Sequence, residues 1–388
     1  MATDHACIVG VGESTYYRRA RSPVSAFRLA ADAVRAALLD AGVGIEEVDG
    51  LVSYIRERTP VEVLAAGLGV RRLRFANSWS GGGGGIAAVA LNAGMAVTTG
   101  AADVVVCYRA ICQGQQPRLG QVRSDGTATG TDAFLAPFGL ITPAQRMAPK
   151  AMRYLYDNGL DLDAAAPVAL ASYWHAQHNP RALMYGRPLD LDTYLASRWI
   201  VKPFRLYDCA LESDAAAAFV VVRESWAAAR GLRSVRIVGG VQGSDARQDV
   251  MGSPNAERYA TAGFTELARE LYEKTGIGPP DLDVLQVYET FGPMVLAAVE
   301  ELGFCAPGTA AEAGVRGDFR WPDGPLPLNT SGGNLAEAYV HGLELVVEAV
   351  RQLRGQSHCQ VDGARRALVA GGPGAHLVSA MILEGGVA

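Results

Sequence analysis

Charge is scarce in this chain of 388 residues: Asp, Glu, Lys and Arg together make up 19%. No long basic run occurs and the formal net charge is only −5, so a nucleic-acid partner is not expected. Long apolar runs are also missing. Stretches such as residues 86–97 are short and broken by Gly and Asn, so no membrane span is expected. The opening residues have no basic region followed by an apolar stretch, which argues against a secretory signal. Cysteines number six, at 7, 107, 112, 209, 305 and 359, and none forms a Cys-x-x-Cys pair. Neither a zinc site nor a disulfide framework is therefore expected, and a reducing cytoplasm is the expected setting. What is abundant is apolar surface, 49% of residues, and glycine, 45 residues. That is the composition of a soluble globular protein with many tight backbone turns, long enough for one large core or two fused domains.

The order of elements occurs twice. Residues 7–12 (Cys7 to Gly12) and 235–241 each read as a buried strand carrying glycines. Residues 48–54, ending in Tyr54, match residues 282–288, ending in Tyr288. Helical spacing of apolar residues predicts helices over 25–41 and 60–68 in the first half, and over 265–275 and 293–302 in the second. Strands alternating with helices imply an α/β fold with largely parallel sheets. The expected division is 1–230 and 231–388. Between about 110 and 203 the pattern weakens. Residues 113–131 lack an apolar stripe, and helices resume over 142–158 and 163–178. This predicts an inserted loop domain in the first half, of a length that usually serves as a lid or binding loop. Residues 368–370 and 377–383 predict a closing hairpin around Gly371-Gly372-Pro373-Gly374.

Val287-Tyr288-Glu289-Thr290-Phe291 and the run from Gly332-Gly333 to Tyr339-Val340-His341-Gly342 resemble the NEAF and GG-x-x-x-x-GHP-x-G motifs of the thiolase superfamily. Asn77-Ser78-Trp79-Ser80-Gly81-Gly82-Gly83 resembles its nucleophile motif, and Val369-Ala370-Gly371 its C-terminal Cys-x-Gly motif. In that comparison Tyr288 stands for the asparagine, Tyr339 for the catalytic histidine, Ser80 for the first cysteine and Val369 for the second. The resemblance runs from Cys7 to Glu384. It implies a layered α-β-α-β-α fold of two duplicated halves, with the insertion covering a coenzyme A substrate. The run from Tyr288 to Cys305 is similar to the sterol-carrier type of thiolase, but no sterol-carrier domain is expected. Ala338-Tyr339-Val340-His341-Gly342, with both cysteines replaced, is similar to the thiolase-like steroid side-chain aldolases. They cleave a β-hydroxyacyl-CoA by a retro-aldol reaction.

A thiolase needs a thiolate, and Ser80 without a neighbouring base is a weak nucleophile. Its plain reading is a small residue at the start of a helix over 82–97. Tyr288 and Tyr339 fit proton exchange without an acyl-enzyme, and phenols with a pKa near ~10 must act in a relay or as acids. Which tyrosine is acid and which is base stays open. The expectation is that Tyr339, at the histidine position, serves the enolate side and Tyr288 meets the β-hydroxyl, and the resemblance implies that the amides of Ser80 and Gly371 hold the thioester oxygen. His341 either tunes the site or packs. From a helix over 339–353 it would point away from Tyr339. Asn329 and Ser331 have the look of loop-orienting residues, Cys209 and Cys305 of buried ones. Arg109, Arg118 and Arg123 lie near the expected CoA loop. His175 and His178 lack further ligands at metal spacing, and the glycine run lacks the Gly-Lys-Ser/Thr of a nucleotide loop.

The resulting expectation is a lyase that takes a bulky acyl-CoA, a 17-hydroxy steroid with a shortened side chain, to a ketosteroid and propionyl-CoA or acetyl-CoA. No cofactor is expected beyond the coenzyme A of the substrate. The resemblance implies a homodimer and a small partner with an OB-fold and a zinc ribbon. Two alternatives stay open: a non-catalytic subunit that binds acyl-CoA or lipid, and an acyltransferase that uses Ser80.

Overall fold

In the computed structural model, residues 4–54, 57–116, 118, 127–245 and 258–386 are described. The first half runs β1 (Ala6–Glu13), β2 (Tyr17–Arg18), α1 (Ala26–Ala41), β3 (Gly50–Tyr54), α2 (Val61–Leu68), β4 (Phe75–Trp79), α3 (Gly85–Thr98) and β5 (Val105–Cys112). An inserted segment follows, with α4 (Thr131–Leu135), α5 (Pro143–Asp157), α6 (Ala166–Ala176), α7 (Leu191–Ala196) and the small ribbon β6 (Trp199–Val201) and β7 (Phe204–Arg205). β8 (Ser213–Arg223) and α8 (Glu224–Ala228) close that half. The second runs β9 (Val235–Gly243), α9 (Thr265–Thr275), β10 (Val284–Val287), α10 (Gly292–Glu301), α11 (Ala310–Arg316), α12 (Gly333–Ala336), α13 (Leu343–Leu353), β11 (Arg366–Gly371) and β12 (Val378–Gly385).

The pairing repeats with the chain. The first strand of each half, β1 or β9, lies antiparallel to the last, β8 or β12. The last lies antiparallel to β5 or β11, which runs parallel to β3 or β10. Beyond β3 comes β4; beyond β10 the same place is taken by one parallel bridge, Leu285 to Leu328. Among the described residues the strands of the two halves pair at Cys7–Arg236 and Ile8–Val235.

Strand alternation then builds five layers. In β8, Ala216, Ala218, Val220 and Val222 face α1 and α2, while Ala215, Ala217, Phe219 and Val221 face α3. In β12, Met381 and Leu383 face α3 and α13, while Ala380 and Ile382 face α9 and α10. Helices α3 and α13 are thus sandwiched between the two sheet halves, which is why α3 is apolar on almost every side. The glycines of β1 have a packing reason. A Cβ on Gly12 would lie 2.2 Å from the Ala37 amide nitrogen, so α1 rests directly on the strand backbone.

Helix starts follow their caps. Ser25 accepts from Arg28 N to open α1, and Thr142 forms a capping box with Gln145 at α5. Residues 82–84 make a single 3-10 turn before α3 instead of its first turn. Of the stretch 113–131, residues 117 and 119–126 lie outside the described residues. The helix expected over 339–353 begins only at Leu343, because His341 (φ +60°) and Gly342 (φ +89°) are left-handed and break it.

Gly12→Val is expected to destabilise the fold by ~1–3 kcal/mol through overpacking of α1 on β1. A urea unfolding curve with its midpoint unchanged from wild type would contradict that packing account.

Candidate active site

Tyr288 leaves the end of β10, and Tyr339 lies in the loop between α12 and α13. Their hydroxyl oxygens are 3.2 Å apart, and either can donate. Both residues are buried, 8% and 7% exposed. The Tyr288 backbone is fixed by its own N–H to the Ala370 carbonyl, 2.9 Å, and that of Tyr339 by its N–H to Ser213 Oγ, 2.8 Å. Space for the Tyr288 ring comes from glycines on two sides. A Cβ on Gly83 would lie 2.4 Å from Tyr288 Cζ, and one on Gly342 would lie 2.7 Å from its Cδ2. The glycines retained in these motifs therefore house an aromatic ring.

The left-handed turn at 341–342 corrects the expectation that His341 points away from Tyr339. The His341 ring centroid lies 5.6 Å from that of Tyr339, 6.1 Å from Tyr288 and 5.7 Å from Tyr54. Tyr54 is a member that the motif comparison missed. The signal for it was the repeat itself, in which Tyr54 ends β3 and Tyr288 follows β10.

Tyr288, Tyr339 and His341 line a cavity of about 1370 Å³. Its apolar wall includes Met147, Leu189, Ile200, Leu206, Phe291 and Met294, from the insertion and α10. Arg58, Arg118, Arg187 and Arg198 also line it and are exposed, which places positive charge at its open side. Arg109 lines it too, but is buried, 5% exposed. Arg123 lies outside the described residues.

Burial sets the protonation of the tyrosines. Desolvation holds the Tyr288 phenol well above its usual range, and the neighbouring Tyr339 adds to the shift. Desolvation also raises Tyr339, with the bond to Tyr288 and the charge of Arg109 opposing it. Both are neutral phenols near neutral pH, so neither is a standing base. Behind them lie buried acids. Desolvation raises Glu344 far above the carboxylate range, and its Oε2 accepts from Val340 N at 3.2 Å. Glu289 is pushed up to about 7 by burial and accepts from Asn334 Nδ2 at 2.8 Å. The Thr290 hydroxyl, buried on the same cavity wall, lies beside the Tyr288 phenol and opposes the rise in its pKa.

The other expected members lie elsewhere. Ser80 is exposed at the bend after β4 and does not line the cavity; Gly83 is the residue of the glycine run that does. Gly371 is packed against the Gly83 carbonyl, where a Cβ would lie 2.6 Å away, and Gly372 takes its place on the wall. Neither Ser80 nor Gly371 is therefore on the cavity wall; the chain turns at positive φ through Gly81 and Gly82 before it reaches the cavity. Asn329 is a clamp. Its Oδ1 accepts from Val287 N and its Nδ2 donates to Val287 O, both at 2.8 Å, so its amide replaces the missing edge strand beside β10. Cys209, expected buried, is half-buried on the cavity wall; desolvation pushes its thiol up to about 12, which leaves no thiolate for nucleophilic work. Cys305 is half-buried as well. His175 is fully buried between Asn329 O and Trp321 N, and burial pushes it down to about 3.

The raised Glu289 carries a pH signature. A carboxyl lifted from 4.5 to about 7 in the fold contributes stability fully present below pH 4.5 and lost as pH rises through 7. Glu289→Gln keeps the contact with Asn334 and is expected to flatten the fall in unfolding free energy across that window. Urea unfolding at a series of pH values checks this; an unchanged slope would remove Glu289 as its source.

Comparison with known proteins agrees with this geometry. Residues 248–384 match the family described as thiolase C-terminal domain-like. The chain is 38% identical over 382 residues to the 17-hydroxy-3-oxo-4-pregnene-20-carboxyl-CoA lyase of Mycobacterium tuberculosis, covering 96% of this chain and 98% of that protein. It is 38% identical over 377 residues to the steroid side-chain-cleaving aldolase of Thermomonospora curvata, covering 95% of each. Among solved structures, the Ltp2-ChsH2(DUF35) aldolase superposes with a TM-score of 0.90 at 38% identity over 98% of both chains. The human mitochondrial 3-ketoacyl-CoA thiolase shares the fold, with a TM-score of 0.73 at 17% identity over 99% of this chain and 100% of that one. Two tyrosines meeting where a thiolase carries its asparagine and histidine, on a duplicated sheet that matches these proteins end to end, place the chain in the thiolase superfamily, as a member of the family of steroid side-chain-cleaving aldolases.

Proposed function

We propose that the chain is a carbon–carbon lyase. It would cleave a β-hydroxyacyl-CoA, a 17-hydroxy steroid acyl-CoA, to a 17-ketosteroid and propionyl-CoA or acetyl-CoA. The observation that carries this reading is the pair of buried phenols, 3.2 Å apart, on a cavity of steroid-accommodating size. A retro-aldol step moves one proton from the β-hydroxyl to the α-carbon and needs no co-reactant. The bond between the α and β carbons breaks, its electron pair forms the thioester enolate, and the β-carbon becomes a ketone. Two neutral phenols in hydrogen-bond contact suit that transfer. Tyr288 accepts the hydroxyl proton while passing its own to Tyr339, and Tyr339 delivers a proton to the enolate carbon. Neither phenol has to ionise first, which matters because burial disfavours the phenolate of both.

The cavity supports the substrate class. Apolar side chains such as Met147, Phe291 and Met294 suit a sterol skeleton, and the exposed arginines suit the phosphates of coenzyme A. The coenzyme A of the substrate is the only cofactor chemistry in this reading. An acyl-enzyme on Ser80 has little support, since that hydroxyl is exposed and off the cavity wall.

Two assemblies belong to the proposal. One is a homodimer formed through β4, an edge strand paired only with β3 among the described residues, with Ala76 and Ser78 exposed. The other is a hetero-complex with a small OB-fold and zinc-ribbon protein, supported by the naming of the Ltp2-ChsH2(DUF35) aldolase as a two-component structure. Among the described residues no helix is long and apolar enough to cross a membrane, and a cytoplasmic location is part of the same reading.

The purified chain, with and without a DUF35-type partner, is expected to release 17-ketosteroid from a 17-hydroxy steroid acyl-CoA. No ketosteroid in either preparation would turn the reading toward a non-catalytic acyl-CoA-binding subunit. Tyr288→Phe and Tyr339→Phe should each lower kcat by ~10²–10⁴-fold, with a much smaller change in KM, because the ring and its packing remain. Full turnover in both variants would take the tyrosines out of the mechanism.

A further inference from the structure

Among the described residues, Arg109 is a buried cation on the cavity wall, and the proton relay does not use it. It projects from the middle of β5 and is 5% exposed. Its Nη1 donates to Glu57 Oε2 at 3.3 Å, a pair whose side chains are only 7% and 3% exposed. Glu57 is held in turn by the amides of Ala110, 2.9 Å to Oε2, and Thr59, 3.0 Å to Oε1. The guanidinium carbon lies 5.3 Å from the ring centre of Tyr54, which touches His341. Arg109 Nε is buried and has no hydrogen-bond partner among the described atoms.

This is a costly arrangement to keep for stability alone. A buried ion pair roughly breaks even against apolar packing, and each donor left unpaired makes it worse. A guanidinium carries five N–H donors in a fixed fork, and the contact with Glu57 takes up one of them. The side chain also lines the cavity beside Tyr339, and its positive charge opposes the burial that raises that phenol. The reaction generates an anion in this space that the two tyrosines do not neutralise while the bond is breaking.

We propose that Arg109 is a catalytic residue: its guanidinium donates to the thioester oxygen on which negative charge collects as the carbon–carbon bond breaks, and Glu57 is the positioning residue that aims it. The inference rests on the lyase reading above. As the hydroxyl proton enters the relay at Tyr288, Tyr339 gives its own proton to the α-carbon, so neither phenol carries an extra proton. The bonding pair passes to the α-carbon, and the negative charge that collects on the thioester oxygen while the bond breaks is met by Arg109 until carbon is protonated. Arg109 keeps all its protons throughout. It would supply the oxyanion site that Ser80 does not.

The test uses the complex with its partner subunit and the steroid acyl-CoA. Arg109→Gln should lower kcat by ~10²–10³-fold, the loss seen when one oxyanion donor is removed, while KM changes less than tenfold. Arg109→Lys keeps the charge without the fork and should fall between Gln and wild type. Glu57→Gln, which can still accept from Arg109, should lose less than Arg109→Gln. Arg109→Ala should regain rate in dilute guanidinium chloride, which wild type should not. Melting curves check the fold. If the Gln variant does not fold, the Lys variant decides, with a tenfold or greater loss of kcat in support and an unchanged kcat against. A kcat within threefold of wild type in Arg109→Gln, or a loss confined to KM, would overturn the proposal. If wild type releases no ketosteroid, the lyase reading fails and takes this inference with it. If wild type works and the variants match it, only the role of Arg109 is removed.

Discussion

The site depends on the contact of backbone with backbone where the two halves of the chain interlock. The turn before α3 lies against the end of β11 so closely that a Cβ on Gly371 would be 2.6 Å from the Gly83 carbonyl, and one on Gly372 would be 2.7 Å from Gly84 Cα. Ser379 stitches the same seam, accepting from Ala88 N at 3.1 Å and donating to Gly84 O at 2.5 Å. The ring of Tyr288 sits in the slot this contact leaves. Only glycine allows two chains to approach so near, and the slot is lined from both halves. The seam explains why the glycines of four separate motifs remain while the reactive residues among them differ.

Burial then decides the chemistry. In a thiolase the corresponding place needs an ionised sulfur. Here the residues are phenols whose charged forms are disfavoured by the same apolar walls that suit a sterol skeleton. Such a site cannot wait with a stored anion, but it can shuttle a proton between two neutral oxygens. The acids behind the tyrosines, Glu289 and Glu344, are also lifted by burial, so the interior near the pair holds few fixed negative charges that would oppose an enolate. Arg109 is a fixed positive charge on the same wall.

Much of this was legible in sequence because it is periodic or local. The repeat ending in Tyr54 and Tyr288 encodes the duplicated topology, and the closing hairpin around Gly371-Gly372-Pro373-Gly374 is local in the sequence. The motif positions of Tyr288 and Tyr339 marked residues that the structure brings into contact. What escaped depends on single backbone torsions and distant contacts. Left-handed His341 and Gly342 delay the start of α13 and swing the imidazole into the cavity, where helical spacing had turned it away. Positive φ at Gly81 and Gly82 carries the chain past Ser80 before the cavity begins. Arg109 read as one of several arginines near a loop, because its burial arises from Glu57 and Tyr54, each more than fifty positions away in the chain.

The tyrosine pair has a consequence for direction. A relay in which each phenol ends the step with the proton count it began with favours neither cleavage nor joining. In the proposed reaction the two hydroxyls that would release a ketone and an acyl-CoA would, by microscopic reversibility, also join them. That reading involves no covalent adduct and no coupled hydrolysis. The net flux through such a site is governed by mass action, that is, by how quickly the ketone and the short acyl-CoA are carried away.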